Sequence, residues 1–358
     1  MKDNYDFSLS IQNPYAKRSK KQLRILLIAT RQIGDVLLVT PLLRSLRRAY
    51  PDSIIDVLVY DNKGGMLEGN PDYNSLISVA EHPNFSQYKI LFKRIFRHYD
   101  LAVSTLAGDR PLIYALLAAR QRVSLVPAKR WQDAWKRWIT AAYTELDNDS
   151  THTVLQNLRL ADLLGIKRYY EVVIPKADDS VLHNYFDWQQ ARFAVLHLLP
   201  MWHYKRWTIS GWCQLIDYLL EMDLYVVLTG GNSEVEKAYI NDVLLKQQSE
   251  KIINLAGKLR FSDVAELISK SQIYVGPDTA VTHLAAATGT KTIALYGPTN
   301  PVKWAPWSDK NNVVLVQGVG DCVPCHQEGC ERHKQSYSRC LEQLDSSVVI
   351  REVKNELS

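Results

Sequence analysis

The sequence predicts an α/β protein built from two doubly wound, Rossmann-like domains with a cleft between them. Short apolar runs alternate with amphipathic helical segments along the chain, as they do in domains with a parallel sheet. A polar stretch over residues 175–184 separates two such series, and 358 residues are too many for one ordinary core. We therefore expect an N-terminal domain over residues 23–178 and a C-terminal domain over residues 185–345.

The first series begins with the apolar run 23–29, which ends in a polar turn and therefore predicts a buried strand. Helical periodicity follows in residues 35–49. The same two periods predict the remaining elements of this half: strands at 54–59, 75–79, 100–105 and 121–125, and helices at 84–97, 109–118 and 153–165.

The second series repeats the alternation from residue 192 onwards. It predicts strands at 192–198, 224–229, 252–255, 272–275 and 291–296, with helices at 208–222, 233–248, 261–270 and 279–288.

The composition describes a soluble globular protein, with 46% hydrophobic and 23% charged residues. Its apolar runs fall well short of the roughly 20 residues that a membrane-spanning helix needs. Residues 1–22 are polar and basic without the apolar core of a signal peptide, so we expect a mobile arm and a cytoplasmic location.

Positive charge is concentrated between Tyr88 and Trp138, where eleven Lys and Arg residues face three Asp residues. Trp131, Trp135 and Trp138 lie in this region at helical spacing beside basic residues. Such a segment suits a membrane surface or an anionic ligand. The alternative is a buried Trp stripe with a solvated basic face, and nucleic acid is disfavoured because no nucleic-acid-binding module accompanies the patch.

Two predicted helix starts are candidate ligand-binding positions. After the strand ending at Val275, the run Gly276–His283 turns directly into a helix, with Asp278 at the expected N-cap and Thr279 and His283 on one face. A helix start of this kind suits a phosphate, although an ordinary capped helix has the same pattern.

The other helix start follows the first strand, where Gly34 allows close backbone approach and Asp35 opens the next helix. Open α/β sheets bind ligands at this end of their strands, so Asp35 is a functional candidate, although it could also serve only to complement the helix dipole. The chain contains neither the dinucleotide-binding glycine fingerprint nor a P-loop.

Together these residues resemble glycosyltransferase family nine, the lipopolysaccharide core heptosyltransferases, over roughly residues 22–345. The resemblance rests on three motifs: Arg31–Leu37 with Thr40–Leu42, Lys205–Trp207, and Gly276–His283 with Tyr296–Thr299. It implies the GT-B fold, with an acceptor domain followed by a nucleotide-sugar domain. It also implies that the last helix, residues 346–358, crosses back to the first domain.

The resemblance further implies roles for individual residues. Asp35 matches the proposed catalytic base, and Lys205 matches the lysine that binds the nucleotide diphosphate. Asp278 matches the acid that holds the donor sugar. The other expected donor-binding positions are Gly34, Gly230, Gly231, Glu234, Thr279, Ala280 and His283.

The reaction implied is transfer of heptose from ADP-heptose to the lipopolysaccharide core, with inversion and without a metal ion. A fixed lysine and a helix N-terminus can stabilise the leaving diphosphate, while a carboxylate takes the acceptor proton. The acceptor is anionic and lies at the inner face of the cytoplasmic membrane, which gives the basic region a use. The expected acceptor or membrane contacts are Arg110, Arg120, Lys129, Arg130, Lys136 and Arg137.

Alternatives remain open. The loop 199–204 before Lys205 has bulkier residues than the family pattern, so a family relative that uses a different nucleotide sugar or acceptor is an alternative. A GT-B-shaped sugar-nucleotide epimerase would bind similar donors without needing Asp35. A nucleotide-sugar binding protein without activity is disfavoured because the residues expected to act are all present.

No resident cofactor is expected, but two patterns could suggest a metal. Cys322, Cys325, Cys330 and Cys340 form a cluster that could hold a structural zinc ion, although reduced thiols are the preferred interpretation. The run 147–149 matches the D-x-D signature of other glycosyltransferases, but it lies in a polar loop before a helix and is interpreted as a turn.

Overall fold

The computed structural model describes residues 22–128, 131–176 and 181–358, and the strands of these ranges form two parallel six-stranded sheets. The strands of the N-terminal sheet are β1 Arg24–Ile28, β2 Ile54–Tyr60, β3 Ser75–Val79, β4 Tyr99–Ser104, β5 Ala119–Val126 and β6 Ala142–Glu145. Its helices are α1 Ile33–Leu37, α2 Thr40–Ala49, α3 Phe85–Ile95, α4 Asp109–Ala118, α5 Ala134–Trp138 and α6 Thr153–Leu163.

The C-terminal sheet is built in the same way. Its strands are β7 Phe193–His197, β8 Tyr225–Thr229, β9 Ile252–Asn254, β10 Ile273–Pro277, β11 Thr292–Tyr296 and β12 Val313–Gln317. The helices of this half are α7 Ile209–Glu221, α8 Glu234–Leu244, α9 Phe261–Lys270, α10 Ala280–Thr288, α11 Pro301–Trp304, α12 Arg339–Glu342 and α13 Ser346–Leu357.

Both sheets have the doubly wound order. The strand order is β3-β2-β1-β4-β5-β6 in the first sheet and β12-β11-β10-β7-β8-β9 in the second, which is the same arrangement given from the other edge. The strand order therefore reverses between β1 and β4, and again between β7 and β10. Open α/β sheets bind ligands at such reversals, outside the carboxyl ends of the strands. The predicted fold class is confirmed.

The helix predicted over 35–49 is divided into α1 and α2. The break precedes Pro41, which has no backbone N–H and cannot continue a helix that began earlier. The hydroxyl of Thr40 donates to the carbonyl of Leu37 at 2.7 Å and satisfies a group at the end of α1. The short strands β6 and β12 were not predicted, although the apolar run 313–316, with its three valines, was an available signal for β12.

The C-terminal helix does not cross back to the first domain, so that expectation was wrong. Helix α13 packs on α7 and on β10, β11 and β12. Its apolar side chains Val349 and Val353 are fully buried in the core that contains Trp212. This apolar face is satisfied within the C-terminal domain. Residues 1–21 of the predicted N-terminal arm lie outside the described residues, and so does residue 178, the predicted end of the N-terminal domain.

Contacts between the domains fix where the cleft lies. Helix α1 packs against α10, and the 3-10 turn Gly64–Leu67 packs against α9. Glu68 accepts hydrogen bonds from Arg260 at 2.6 Å and from Ser262 at 2.9 Å. No helix in the described ranges is both long enough and apolar enough to cross a membrane.

Candidate active site

The candidate site lies where α1 of the first domain meets α10 of the second. The two helices pack closely at Gly34, where a Cβ atom would be in van der Waals contact, 3.4 Å from Ala280 and 3.8 Å from the ring of His283. A larger side chain would push the two helices apart. The structure thus brings Gly34, Ala280 and His283 together from distant parts of the sequence.

Lys205 and Asp278 form a buried ion pair on the C-terminal side of this contact. The Lys205 Nζ atom lies 2.5 Å from Asp278 Oδ2, and the two side chains are only 17% and 6% exposed. Burial opposes both charges, but the partner outweighs it: the pKa of Lys205 is raised and that of Asp278 is lowered. Both groups are therefore charged at neutral pH.

Asp278 is not the N-cap of α10, which corrects the prediction. Thr279 has the extended backbone of a cap, and its hydroxyl accepts from the backbone N–H of Thr282 at 3.4 Å. Asp278 directly follows β10, and its N–H donates to the carbonyl of Leu295. Its carboxylate pairs with Lys205 of the same domain.

His283 lies one turn into α10 and is buried. Burial lowers its pKa to about 4, so the imidazole is neutral at pH 7. Its Nδ1 atom has no hydrogen-bond partner among the described residues. A buried imidazole nitrogen in this state can accept or donate one hydrogen bond to a ligand.

Asp35 faces this group from α1. Burial raises its pKa, and the positive charges of Arg31, Lys303 and Lys205 oppose that rise. Its Oδ1 atom lies 3.5 Å from Arg31 Nη1 and accepts no hydrogen bond within the described residues. Asp35 is therefore a carboxylate more basic than usual, with an oxygen available to a ligand.

Two of these cations were not assigned a role from the sequence. Arg31 belongs to the turn after β1, and Lys303 belongs to α11, just beyond the carboxyl end of β11. Lys303 is buried and donates to the side chain of Asn148 at 2.7 Å across the domain interface. Their positions after parallel strands were the available signal.

A cavity of about 690 Å³ opens at the strand-order reversal of the N-terminal sheet. Arg31 and Arg110 line it, and Arg110 lies over the ring of Tyr60 at 5.9 Å. The rest of the lining comes from the turn after β1, the segment 105–111 after β4, and Leu146. The charged groups of the lining are the two guanidinium groups and the carboxylate of Asp109, which pairs with Lys136.

The remaining predicted basic contacts lie elsewhere. Lys136 is 7% exposed at its side chain and binds Asp109 and Asp133, both at 2.7 Å, so its ammonium braces the loop after β4 instead of reaching the surface. Arg137 is similarly held by Glu145 at 3.2 Å and by the carbonyl of Pro127 at 2.7 Å. Neither side chain is free for a membrane contact.

Arg120 is near the amino end of β5, whereas the cavity lies at the carboxyl ends of the strands. The structure therefore does not bring Arg120 to the cavity. Lys129 and Arg130 lie outside the described residues.

The three Trp residues of this segment do not form a buried stripe. Trp131 and Trp138 are 85% and 88% exposed, and Trp135 is 37% exposed. Helix α5 is only five residues long, so the predicted helical spacing is only partly realised. The interpretation of this stripe as core was wrong.

The glycine loop after β8 is held by Glu236. This carboxylate accepts from the N–H of Gly231 at 2.8 Å and from Ser233 Oγ at 2.7 Å. Gly230 accepts a hydrogen bond from the N–H of Gly257. Glu234 lies at the start of α8 with an exposed side chain that pairs with Lys237 at 3.0 Å, so its carboxylate remains accessible.

The structure describes both sequence patterns that could suggest a metal ion, the run 147–149 and the cysteine cluster. Asp147 accepts from the N–H groups of Asp149 and Ser150, both at 2.9 Å, which confirms the interpretation of this run as a turn. None of the five cysteines forms a disulfide in the structure, and Cys340 is buried whereas Cys322 is exposed. Within the part of the chain that is described, no three His, Cys, Asp or Glu side chains are arranged to hold a metal ion, so the zinc interpretation gains no ligand set.

Comparison with known proteins yields a consistent set of matches. A family model described as glycosyltransferase family 9 (heptosyltransferase) matches residues 112–335. The chain is 29% identical over 325 residues to lipopolysaccharide heptosyltransferase 3 of Escherichia coli K12, covering 85% of this chain and 91% of the relative. It is 30% identical over 294 residues to a second Escherichia coli protein of that name, covering 78% and 85%.

Solved structures give the same picture of the fold. The family 9 glycosyltransferase from Veillonella parvula superposes with a TM-score of 0.77 at 19% identity, covering 94% of this chain and 97% of the other. Escherichia coli ADP-heptose lipopolysaccharide heptosyltransferase II gives 0.73 at 21% identity, covering 94% and 98%. The predicted GT-B fold is confirmed.

Proposed function

The chain belongs to glycosyltransferase family 9, and we propose that it moves heptose from ADP-L-glycero-D-manno-heptose to the inner core of lipopolysaccharide. The observation that carries this proposal is the convergence of Asp35 from the first domain with Lys205 and Asp278 from the second. A base and a diphosphate-binding cation on opposite sides of one cleft suit direct transfer between two substrates.

In the proposed reaction the acceptor hydroxyl attacks the anomeric carbon while the bond from that carbon to the diphosphate oxygen breaks. Asp35 takes the hydroxyl proton, and ADP leaves with the electron pair of the broken bond. A single displacement of this kind inverts the anomeric configuration. Burial makes Asp35 a stronger base than a surface aspartate, and the neighbouring cations keep it ionised.

Negative charge grows on the leaving diphosphate, and the second domain supplies groups to stabilise it. Lys205 is charged and held in place by Asp278 before any donor binds. The first N–H groups of α10, which begins at Ala280, add the positive end of a helix dipole. These groups can act without a metal ion, and transfer that persists in excess EDTA is therefore expected.

We assign the remaining donor contacts to the same half of the cleft. Asp278 and the neutral imidazole of His283 would bind donor hydroxyl groups, with Thr279 beside them. The loop at Gly230 and Gly231 would enclose the nucleoside, and the accessible carboxylate of Glu234 would bind the ribose.

The acceptor would occupy the cavity at the N-terminal sheet. Arg110 and Arg31 line it and suit the phosphates and carboxylates of a core saccharide. The acceptor is lipid-linked, so the enzyme would act as a peripheral protein at the inner face of the cytoplasmic membrane. Lys136, Arg137 and Arg120 are left out of the acceptor site because of where their side chains lie.

The experiment is incubation of the purified protein with labelled ADP-heptose and other nucleotide sugars, with and without heptose-deficient lipopolysaccharide. Transfer that requires both substrates and is lost in Asp35→Asn supports the proposal. Consumption of donor without acceptor would instead indicate an epimerase, and no consumption would indicate a binding protein. Determination of the product's anomeric configuration by NMR tests the inversion.

A further inference from the structure

Helix α3 is unusually exposed for a helix that carries so many aromatic residues. Of its eleven residues only Leu91 and Ile95 are buried. Phe85, Tyr88 and Phe92 are 84%, 39% and 41% exposed, and Phe96 at the C-cap is 45% exposed. An isolated surface apolar residue needs no explanation, but a contiguous group on one helix does.

These four aromatic residues share one face of the helix. They follow one another at spacings of three, four and four residues, which is the period of an amphipathic helix. The rings of Phe92 and Phe96 stack with centroids 4.5 Å apart. We call this group, Phe85, Tyr88, Phe92 and Phe96, the aromatic face of α3.

Positive charge accompanies the aromatic face. Residues 82–99 contain Lys89, Lys93, Arg94 and Arg97 and no Asp or Glu. Lys89 and Lys93 are exposed and lie beside the aromatic face around the helix. An exposed aromatic face flanked by cations is the composition of a helix that lies in the interface of an anionic membrane.

The position of α3 relative to the cavity gives this surface a purpose. Helix α3 packs on α4, and Arg110, which lines the cavity, donates to the carbonyl of Glu81 just before α3. Asp109, which also lines the cavity, pairs with Lys136 of α5, a helix that contains the exposed Trp138 and follows the exposed Trp131. Exposed aromatic side chains therefore occur on two segments that contact the cavity lining.

We propose that the aromatic face of α3, with Lys89 and Lys93, docks the protein on an anionic phospholipid bilayer and presents the cavity to a lipid-linked acceptor. This rests on the proposed function, because it assigns a membrane surface to the acceptor side of the same site. It moves the membrane contact away from Lys136 and Arg137, whose charges are committed inside the protein.

The test measures co-sedimentation of the full chain with two kinds of vesicle. Wild-type protein should bind vesicles of phosphatidylethanolamine and phosphatidylglycerol, bind phosphatidylcholine vesicles weakly, and lose binding as salt rises. Lys89→Glu with Lys93→Glu, and separately Phe85→Ser with Phe92→Ser, should each reduce partitioning at least roughly tenfold. The matched control is Val235→Ser with Leu245→Ser, two residues of the C-terminal domain that are 59% and 76% exposed and should not matter.

Three results would overturn the inference. The first is wild-type protein that does not bind anionic vesicles but transfers heptose to a deacylated, soluble acceptor; the proposed function then stands and the docking surface fails. The second is vesicle binding by the α3 variants equal to that of wild type. The third is a dimer, detected by sedimentation analysis, that the α3 variants dissociate; a second copy of the chain is then the occupant of this face. Failure to transfer to the soluble acceptor as well would count against the proposed function itself.

Discussion

Replacement of Arg31 by glutamine should make the enzyme more sensitive to acid. Arg31 Nη1 lies 3.5 Å from Asp35 Oδ1, and its positive charge opposes the rise in pKa that burial causes. Without that charge the pKa of Asp35 rises further, so the proposed base is protonated at a pH where the wild-type residue is ionised. The acidic limb of the pH profile should therefore move to higher pH.

The size of the effect follows from the distance between the charges. Two unit charges 3.5 Å apart interact by about 1.2 kcal/mol in water and by about 5 kcal/mol at an effective dielectric constant of 20. The side chain of Arg31 is 43% exposed, so solvent screening favours the lower figure. About 1 kcal/mol corresponds to a fivefold to tenfold loss of ionised Asp35, and of kcat/KM, on the acidic limb.

The assay is kcat/KM for the donor as a function of pH, because this quantity reports the ionisation of the free enzyme. Arg31→Gln should lose activity at low pH and recover most of it at high pH. Arg31→Lys retains a positive charge and should keep the acidic limb close to that of wild type. A loss of equal size at every pH, or the same acidic limb for the two variants, would refute the electrostatic argument and leave acceptor binding as the role proposed for Arg31.

Three further outcomes are expected. Lys205→Met should lower kcat by roughly 10²–10³-fold, because the leaving diphosphate loses its proposed cation. It should also lower the free energy of unfolding by about 3 kcal/mol, because the buried Asp278 carboxylate loses its partner at 2.5 Å. Steady-state kinetics and urea denaturation measure the two effects, and retained turnover would contradict the assignment. His283 has a folded pKa of about 4, below its ordinary value of 6.5. The unfolded chain therefore binds an extra proton at a pH between these values, and the protein loses stability as the pH falls from 6.5 to 4. Urea denaturation at pH 7 and pH 4 should show that His283→Gln removes up to roughly 3 kcal/mol of this loss. Lys136→Met should lower the free energy of unfolding by about 2 kcal/mol, because Asp109 and Asp133 lose their shared partner. It should also raise KM for the acceptor but not for the donor, because Asp109 lines the proposed acceptor cavity. Arg120→Gln, at the far end of the sheet, should have neither effect.

Most of the fold and the centre of the site could be predicted from the sequence because both depend on local periods. Parallel strands separated by helices place all their carboxyl ends at one edge, so a residue just after a strand is near the ligand wherever it falls in the chain. Asp35 and Asp278 are far apart in sequence, and each follows a strand next to a reversal of strand order. Their meeting across α1 and α10 needed only the two sheets to face each other.

The fate of the basic residues could not be predicted in the same way. A count of charges between Tyr88 and Trp138 does not say which side chains find a carboxylate after folding. Lys136 finds Asp109 and Asp133, whereas Lys89 and Lys93 remain exposed beside aromatic rings. The Asp133 contact is local, at a spacing of three residues, but the Asp109 contact is tertiary, and no helical or strand period contains that information.

The cap of α10 illustrates the same limit on a smaller scale. Asp and Thr are both good N-cap residues, and the sequence offers them in adjacent positions. In the structure Thr279 caps the helix, and the Asp278 carboxylate pairs instead with Lys205. The partner of Asp278 comes from a distant part of the chain, so local cap preference could not distinguish the two residues.

The ionisation of Asp35 depends on both domains at once. Arg31 lies in the same domain as Asp35, but Lys205 and Lys303 belong to the C-terminal half and reach Asp35 only when α1 and α10 are in contact. Separation of the domains would remove these two cations, which raises the pKa of Asp35, and would admit water, which lowers it. These effects oppose each other, so the closed arrangement combines a dry site with a carboxylate that is still ionised. The proposed base thereby combines desolvation with charge, which suits attack by a neutral hydroxyl group, and neither domain alone supplies this combination.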